Sequence, residues 1–100
     1  MPEQTANPTS YYPEVECETR EGDADWEVVV SVKDEKGHKQ FLSVSKGMVA
    51  KDNGKSYLAI GVVHVDSRGK RVLIELPQES DAGVSRLWVP FGSFRPRKEQ

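Results

Sequence analysis

The chain has 100 residues, of which 36% are hydrophobic and 30% charged, and its formal net charge is −2. This length fits one domain, and the single cysteine, Cys17, excludes an intrachain disulfide and therefore a disulfide-stapled secreted domain. No apolar run approaches the roughly 18 residues of a membrane helix and no signal-peptide pattern is visible, so we expect a soluble, cytoplasmic protein without a membrane partner.

The first residues differ in composition from the rest of the chain. Residues 1–13 read MPEQTANPTSYYP, with three prolines and no apolar periodicity, which is typical of a disordered segment. Residues 1–25 carry seven acidic side chains and one basic one, whereas residues 26–100 carry nine acidic and thirteen basic. We predict a flexible acidic and polar arm over residues 1–14. The arm either folds back across the body, with Tyr11 or Tyr12 as an anchor, or is simply solvated.

Alternating apolar and polar residues predict β-strands in the first half of the chain. Residues 15–20 alternate in this way with a charged outer face, which favours a short edge strand. Residues 26–33 form a stronger strand, with Trp26, Val28, Val30 and Val32 on one face. A turn at residues 34–37 returns the chain as a strand over residues 38–45.

The second half contains three further predicted strands. The longest covers residues 56–66, with Leu58, Ile60, Val62 and His64 on one face and a bend or bulge at Gly61. Strands at residues 70–76 and 86–90 follow, and residues 91–94 make a short turn. No segment has a helical period, so five or six short strands joined by tight turns predict an all-β antiparallel domain over residues 15–96. We expect a small barrel or a strongly curled sheet, followed by a frayed tail at residues 97–100.

The end of the domain resembles the close of an SH3-like barrel. A strand ends at Val89 and Pro90, and Phe94, Arg95 and Pro96 follow a short turn. The resemblance covers residues 26–96 at the level of strand count and implies an SH3-like barrel fold. The aromatic and acidic segment that lines the peptide groove of true SH3 domains is absent from the sequence, so the resemblance does not imply binding of proline-rich peptides.

No motif in the sequence indicates catalysis, a metal or a cofactor. Cys17, His38 and His64 lie far apart, without the spacing of a metal site. Cys17 stands between two glutamates, which raise the pKa of a thiol and make it less reactive. We therefore predict a protein that is not an enzyme and that holds no metal and no cofactor.

An outward-facing apolar patch is the first candidate site. If the alternate residues Leu58, Ile60 and Val72 face inward, five apolar residues face outward: Trp88, Leu73, Val63, Val65 and Tyr57. Exposed patches that contain a tryptophan usually mark interaction sites. This predicts a non-catalytic module that binds a protein partner or forms a homodimer. Two alternatives stay open: the N-terminal segment covers the patch through Val15 and a tyrosine, or the faces are reversed and Trp88 lies in the core.

A set of basic residues is the second candidate site. They fall in one hairpin and at the C-terminus: Arg68, Lys70, Arg71, Arg95 and Arg97. Together with Trp88 or Tyr57 they could bind phosphate and stack a base. This alternative predicts a small nucleic-acid-binding barrel, although charged hairpin tips also serve solubility.

Overall fold

The computed structural model describes residues 12–96, and the predicted disorder of residues 1–11 and fraying of residues 97–100 lie outside that range. The strands are β1 (Glu14–Glu21), β2 (Glu27–Lys33), β3 (Lys39–Ser45), β4 (Val49–Asp52), β5 (Lys55–Ala59), β6 (Gly61–Asp66), β7 (Arg71–Glu75), β8 (Arg86–Pro90) and β9 (Phe94–Arg95). Two 3₁₀ turns, Lys46–Met48 and Phe91–Ser93, precede β4 and β9. Within residues 12–96, no helix has the length and apolarity to cross a membrane.

The strands form two antiparallel sheets. The six-stranded sheet has the order β3-β2-β1-β5-β4 with β9 also paired to β1, and the three-stranded sheet has the order β6-β7-β8. The all-β antiparallel class is confirmed. The predicted five or six strands become nine within residues 12–96 because the run at residues 56–66 divides into β5 and β6 and because two short pieces, β4 and β9, also pair.

Strand β1 is central, so the prediction of an edge strand at residues 15–20 was wrong. Its first half pairs with β5 and its second half with β2. Val15 has Leu58 on one side and Phe94 on the other. Both edges of the strand are therefore used, and its first residue, Glu14, is buried rather than part of the arm.

The two sheets enclose one hydrophobic core. Val30 from β2, Leu58 from β5 and Val72 from β7 are fully buried in the same cluster. Leu58 and Val72 belong to the faces taken as inward in the sequence, and Val30 lies on the face that it was predicted to share with Val32, because side chains two apart on a strand project to the same side. The inward faces predicted for β7 and β8 are buried as well, and on β3 the alternate residues Leu42 and Val44 are buried.

Trp26 does not continue the face of the second strand on which alternation placed it with Val30 and Val32. Its side chain is 72% exposed, because β2 begins only at Glu27 and Trp26 belongs to the preceding turn. The Glu27 N–H closes that turn by donating to the Ala24 carbonyl at 3.1 Å. Alternation cannot place a residue that lies outside the extended segment.

The run at residues 56–66 is divided between the two sheets and is not one strand. β5 ends at Ala59 and β6 begins at Gly61, so the chain does break beside the predicted glycine. Ile60 lies between them, 7% exposed, and its N–H donates to the Pro13 carbonyl at 3.0 Å. The break at Ile60 thus transfers the chain from the first sheet to the second.

Leu58 gives a direct test of the shared core. Leu58→Ala removes a fully buried side chain, and the lost burial and the remaining cavity should lower the free energy of unfolding by about 2–5 kcal/mol. Val65→Ala, at a position that is 47% exposed, should lower it by less than about 1 kcal/mol. Urea denaturation of both variants checks the difference, and equal losses would contradict the assignment of Leu58 to the core.

Candidate functional site

Strand β6 concentrates exposed apolar residues at one edge of the three-stranded sheet. Val62 is 43% exposed, Val63 38% and Val65 47%. β6 pairs with β7 along one side, and among the described residues no other strand pairs with its opposite side. A strand of this kind presents unpaired backbone N–H and C=O groups together with apolar side chains.

A β-bulge within β6 decides which way its side chains point. Val62 is opposite Ile74, whereas His64 is opposite Leu73, so Val63 is the extra residue. Val65 lies opposite Val72, and it therefore projects from the core face together with Val62. His64, predicted inward with Val62, projects from the outer face and is exposed.

The bulge also corrects the predicted outward patch. Val65 does not lie on the same face as Leu73 and Trp88, because at the bulge two residues of β6 lie opposite a single residue of β7. Val62 was predicted to be buried, but it lies on the outermost strand, where the opposing sheet does not cover the core face completely. Within this sheet, the exposed apolar side chains are accordingly concentrated at the β6 edge, which we define as residues 61–66, and not in a patch centred on Trp88.

Other sheet edges in the described part of the chain are covered or charged. On β3, Phe41 accepts a hydrogen bond at its carbonyl from the Asp81 N–H at 2.7 Å. On β8, the Trp88 carbonyl accepts from the Glu35 N–H at 2.9 Å. β4 has four residues, and two of them, Lys51 and Asp52, are charged. These are the usual ways of preventing edge-to-edge pairing, and the middle of β6, residues 62–65, contains no lysine, arginine, carboxylate or proline.

Trp88 lies on the outer face of the three-stranded sheet and is half-buried. Its neighbours Leu87 and Val89 point into the core, so the alternative of reversed faces is wrong. The Arg71 guanidinium carbon lies 4.0 Å from the centroid of the Trp88 ring, and the His64 ring meets it edge-on at 6.1 Å. Val15, which was considered as a cover for this patch, is fully buried in the core instead.

Two carboxylates hold Arg71 over the tryptophan. Arg71 donates from Nε to Asp66 at 3.0 Å and from a terminal nitrogen to Glu35 at 2.9 Å. The Gly69 N–H and the Arg71 guanidinium both lower the pKa of Asp66 below its ordinary value. The donors of Arg71 that face these carboxylates are therefore occupied, and a phosphate would have to compete with both.

Tyr57 belongs to a separate cluster around Arg95. The Arg95 guanidinium carbon lies 3.8 Å from the centroid of the Tyr57 ring. Its nitrogens donate to Glu14 at 2.7 Å and to Asp52 at 2.9 Å. The cluster ties β1, β4, β5 and β9 of the larger sheet together, and its Glu14 carboxylate is buried, with 3% of the residue exposed. Sequence reasoning missed it, since the four residues are distant along the chain and no local pattern links them.

The remaining predicted basic residues are in different surroundings. Arg68 and Lys70 are exposed in the turn between β6 and β7, and Arg97 lies outside the described residues. Arg71 is held above Trp88, and Arg95 is part of the Tyr57 cluster. The structure thus groups Arg68, Lys70 and Arg71 near one hairpin but does not bring Arg95 into a common surface with free donors.

Cys17 is buried in β1, where its surroundings suppress its reactivity. Burial raises the pKa of the thiol from 9.0 to about 12, and the carboxylates of Glu16, Glu14 and Glu18 add to the increase. Within residues 12–96, no three His, Cys, Asp or Glu side chains are placed to hold a metal ion.

An apolar cleft of about 560 Å³ lies where the two sheets separate. Residues 47–48, 59–61 and 75–77 line it, and Tyr12 stands at its rim. Ala59, Ile60 and Leu76 are buried beneath it. Sequence reasoning did not predict this cleft, because it depends on the break at Ile60, although Gly61 marked its position along the chain.

Comparisons with protein-family models, with curated proteins and with solved structures gave no significant match. The function is therefore inferred from the geometry of the β6 edge and its surroundings.

The Arg95 cluster should make a measurable contribution to stability. Arg95→Gln leaves the buried Glu14 carboxylate without its main partner, and breaking such a pair is expected to lower the free energy of unfolding by about 3 kcal/mol. Arg86→Gln is the matched control, because it breaks the exposed pair of Arg86 with Glu75 at 3.3 Å, with an expected loss below about 1 kcal/mol. Chemical denaturation measures both, and equal losses would contradict a structural role for the cluster.

The raised pKa of Cys17 predicts a protected thiol. With a pKa of about 12, the thiolate fraction at pH 8 is on the order of 10⁻⁴, so the folded protein should react with a disulfide reagent far more slowly than the protein in urea. Folding raises this pKa, so the associated stabilisation is complete below pH 9.0 and is lost as the pH rises towards 12. Equal rates for the folded and unfolded protein would show that Cys17 is accessible.

Proposed function

We propose that this chain is a non-catalytic, cytoplasmic protein-interaction module whose β6 edge pairs with an extended segment of a protein partner. In this mode a partner strand hydrogen-bonds to the free edge of a sheet, and the side chains beside it provide specificity. The observation that carries the proposal is the apolar and unprotected β6 edge in a domain that protects or charges its other long edges.

Three properties of β6 support strand addition. It is six residues long, which is a typical length for a strand. Its exposed valines are β-branched and suit a pleated surface. Val62 and Val65 project from the core face, so an added strand would continue the hydrophobic core beyond its present border.

The expected affinity is moderate. Each of the three valines is roughly half exposed, so complete burial is worth about 2–4 kcal/mol in total. Backbone hydrogen bonds add about 0.5–1.5 kcal/mol each, whereas association itself costs 4 kcal/mol or more, roughly. We therefore expect binding in the micromolar range or weaker unless the partner makes contacts beyond the strand. By the same estimate, we expect a homodimer that is held together by β6 alone to be weak.

The surroundings of the basic residues favour protein binding over nucleic-acid binding. Arg71 and Arg95 each hold two carboxylates, and Trp88 and Tyr57 are each covered by one of these guanidinium groups. Arg68 and Lys70 alone give a small positive surface, and tight phosphate binding usually needs more contacts. Nucleic-acid binding remains the alternative, and an SH3-like barrel remains our proposal for the finer fold.

Val65→Lys tests the β6 edge. A lysine at this position opposes edge pairing through its charge, and its long side chain can reach water from an exposed site. The variant should lose binding to proteins captured from the source cell by the wild-type chain, with the free energy of unfolding changed by less than about 1 kcal/mol. Phe91→Lys is the control, because Phe91 is also exposed, at 39%, but lies in a 3₁₀ turn outside the edge.

Hydrogen exchange on the captured complex locates the contact. Amides of residues 61–66 should gain protection in the complex, while those of β3 should not change. Capture that survives Val65→Lys, or protection found elsewhere, would overturn the proposal. Sedimentation of the free chain tests whether the partner is a second copy of the same chain. A dimer that is abolished by Val65→Lys would identify that second copy as the partner.

A further inference from the structure

The apolar cleft between the two sheets lies at the point where the described chain begins. Its floor is formed by buried apolar residues, including Ile60 and Leu76. Its volume, about 560 Å³, falls in the range of pockets that bury a small molecule or a few side chains. Tyr12 stands at its rim with 58% of its surface exposed.

The backbone next to Tyr12 is fixed to the floor of the cleft. The Pro13 carbonyl accepts a hydrogen bond from the Ile60 N–H at 3.0 Å, and β1 starts at the following residue, Glu14. Residues 1–11 must therefore join the domain at the rim of the cleft. Since consecutive Cα atoms are about 3.8 Å apart, Tyr11 is attached within one residue of it.

The composition of residues 1–11 matches the chemistry of this cleft. The segment contains a single charged side chain, Glu3, together with Met1, three other small apolar or proline residues and the aromatic Tyr11. The one carboxylate in the cleft lining, that of Glu75, is paired with Arg86 at 3.3 Å. Seating Tyr11 in the cleft would bury no unpaired charge, which is the usual obstacle to occupying an apolar site.

Covalent attachment favours this occupant over any free ligand. A tethered group has an effective concentration in the millimolar range when the linker is short, and here the linker is a single residue. A tethered segment therefore avoids most of the translational and rotational cost that a free ligand would pay on binding.

We propose that the cleft between residues 47–48, 59–61 and 75–77 is a docking site for the chain's own N-terminal segment, residues 1–11, with Tyr11 as the seated side chain. This proposal does not depend on the function proposed for the β6 edge, with which the cleft shares only Gly61. It assigns the predicted anchoring role of the arm tyrosines to the cleft and not to the surface around Trp88.

Methionine methyl resonances provide the test. The chain has two methionines, Met1 in the segment and Met48 in the cleft lining, so ¹³C-methyl labelling of the full chain gives two signals. Because an aromatic ring shifts the resonance of a methyl group that it contacts, the Met48 signal should move in Tyr11→Ala. It should also move when residues 2–11 are replaced by a Gly-Ser stretch of equal length. Gln4→Ala is the matched control and should leave the Met48 signal in place.

The outcomes separate the possible occupants. An unchanged Met48 signal in both altered chains would overturn the proposal. A signal that moves on replacing the whole segment but not in Tyr11→Ala would overturn the assignment of Tyr11. If the wild-type signal depends on protein concentration, the occupant is a second copy of the chain and the intrachain site is wrong. A Val65→Lys chain should show the wild-type Met48 signal, which keeps this test distinct from that of the β6 edge.

Discussion

The position of Ile60 determines how the two sheets are joined. Its side chain is buried in the shared core, and its N–H leaves the β-ladder to bond the Pro13 carbonyl. The chain can therefore cross from the six-stranded to the three-stranded sheet without leaving a buried donor unpaired, which would be costly. The same crossing opens the apolar cleft on one side and makes β6 an outermost strand on the other.

The bulge at Val63 explains why β6 differs from the strands that pack beside it. Without the extra residue, Val62 and Val65 would project from opposite faces, because side chains alternate along a strand. With it, both lie on the core face at the sheet border, while His64 reaches the outer face beside Trp88. Bulges are common at sheet edges, where they redirect side chains, and here the result is an apolar border that the opposing sheet leaves uncovered.

Alternation in the sequence was sufficient to predict the all-β class and the inward faces of β7 and β8. It failed at three positions where the alternation is interrupted. Trp26 precedes β2, Ile60 separates β5 from β6, and Val63 is an extra residue within β6. Such events depend on pairing with distant segments, and a local pattern does not record them. The Glu14, Asp52, Tyr57 and Arg95 cluster was unpredictable for the same reason, since it joins four strands that are far apart in sequence.

The polar contacts of the domain distinguish residues that hold the strands in place from residues that are free to contact a partner. Arg71 and Arg95 have the residue types of a nucleic-acid site, but each is held by carboxylates from other strands and covers an aromatic ring. Such interactions fix the position of strands and use the donors that a ligand would need. The β6 edge has the opposite character, because its valines and backbone groups make no comparable contacts within the described chain. An interaction that adds a strand at β6 would satisfy the backbone groups and extend the core without disturbing either arginine cluster.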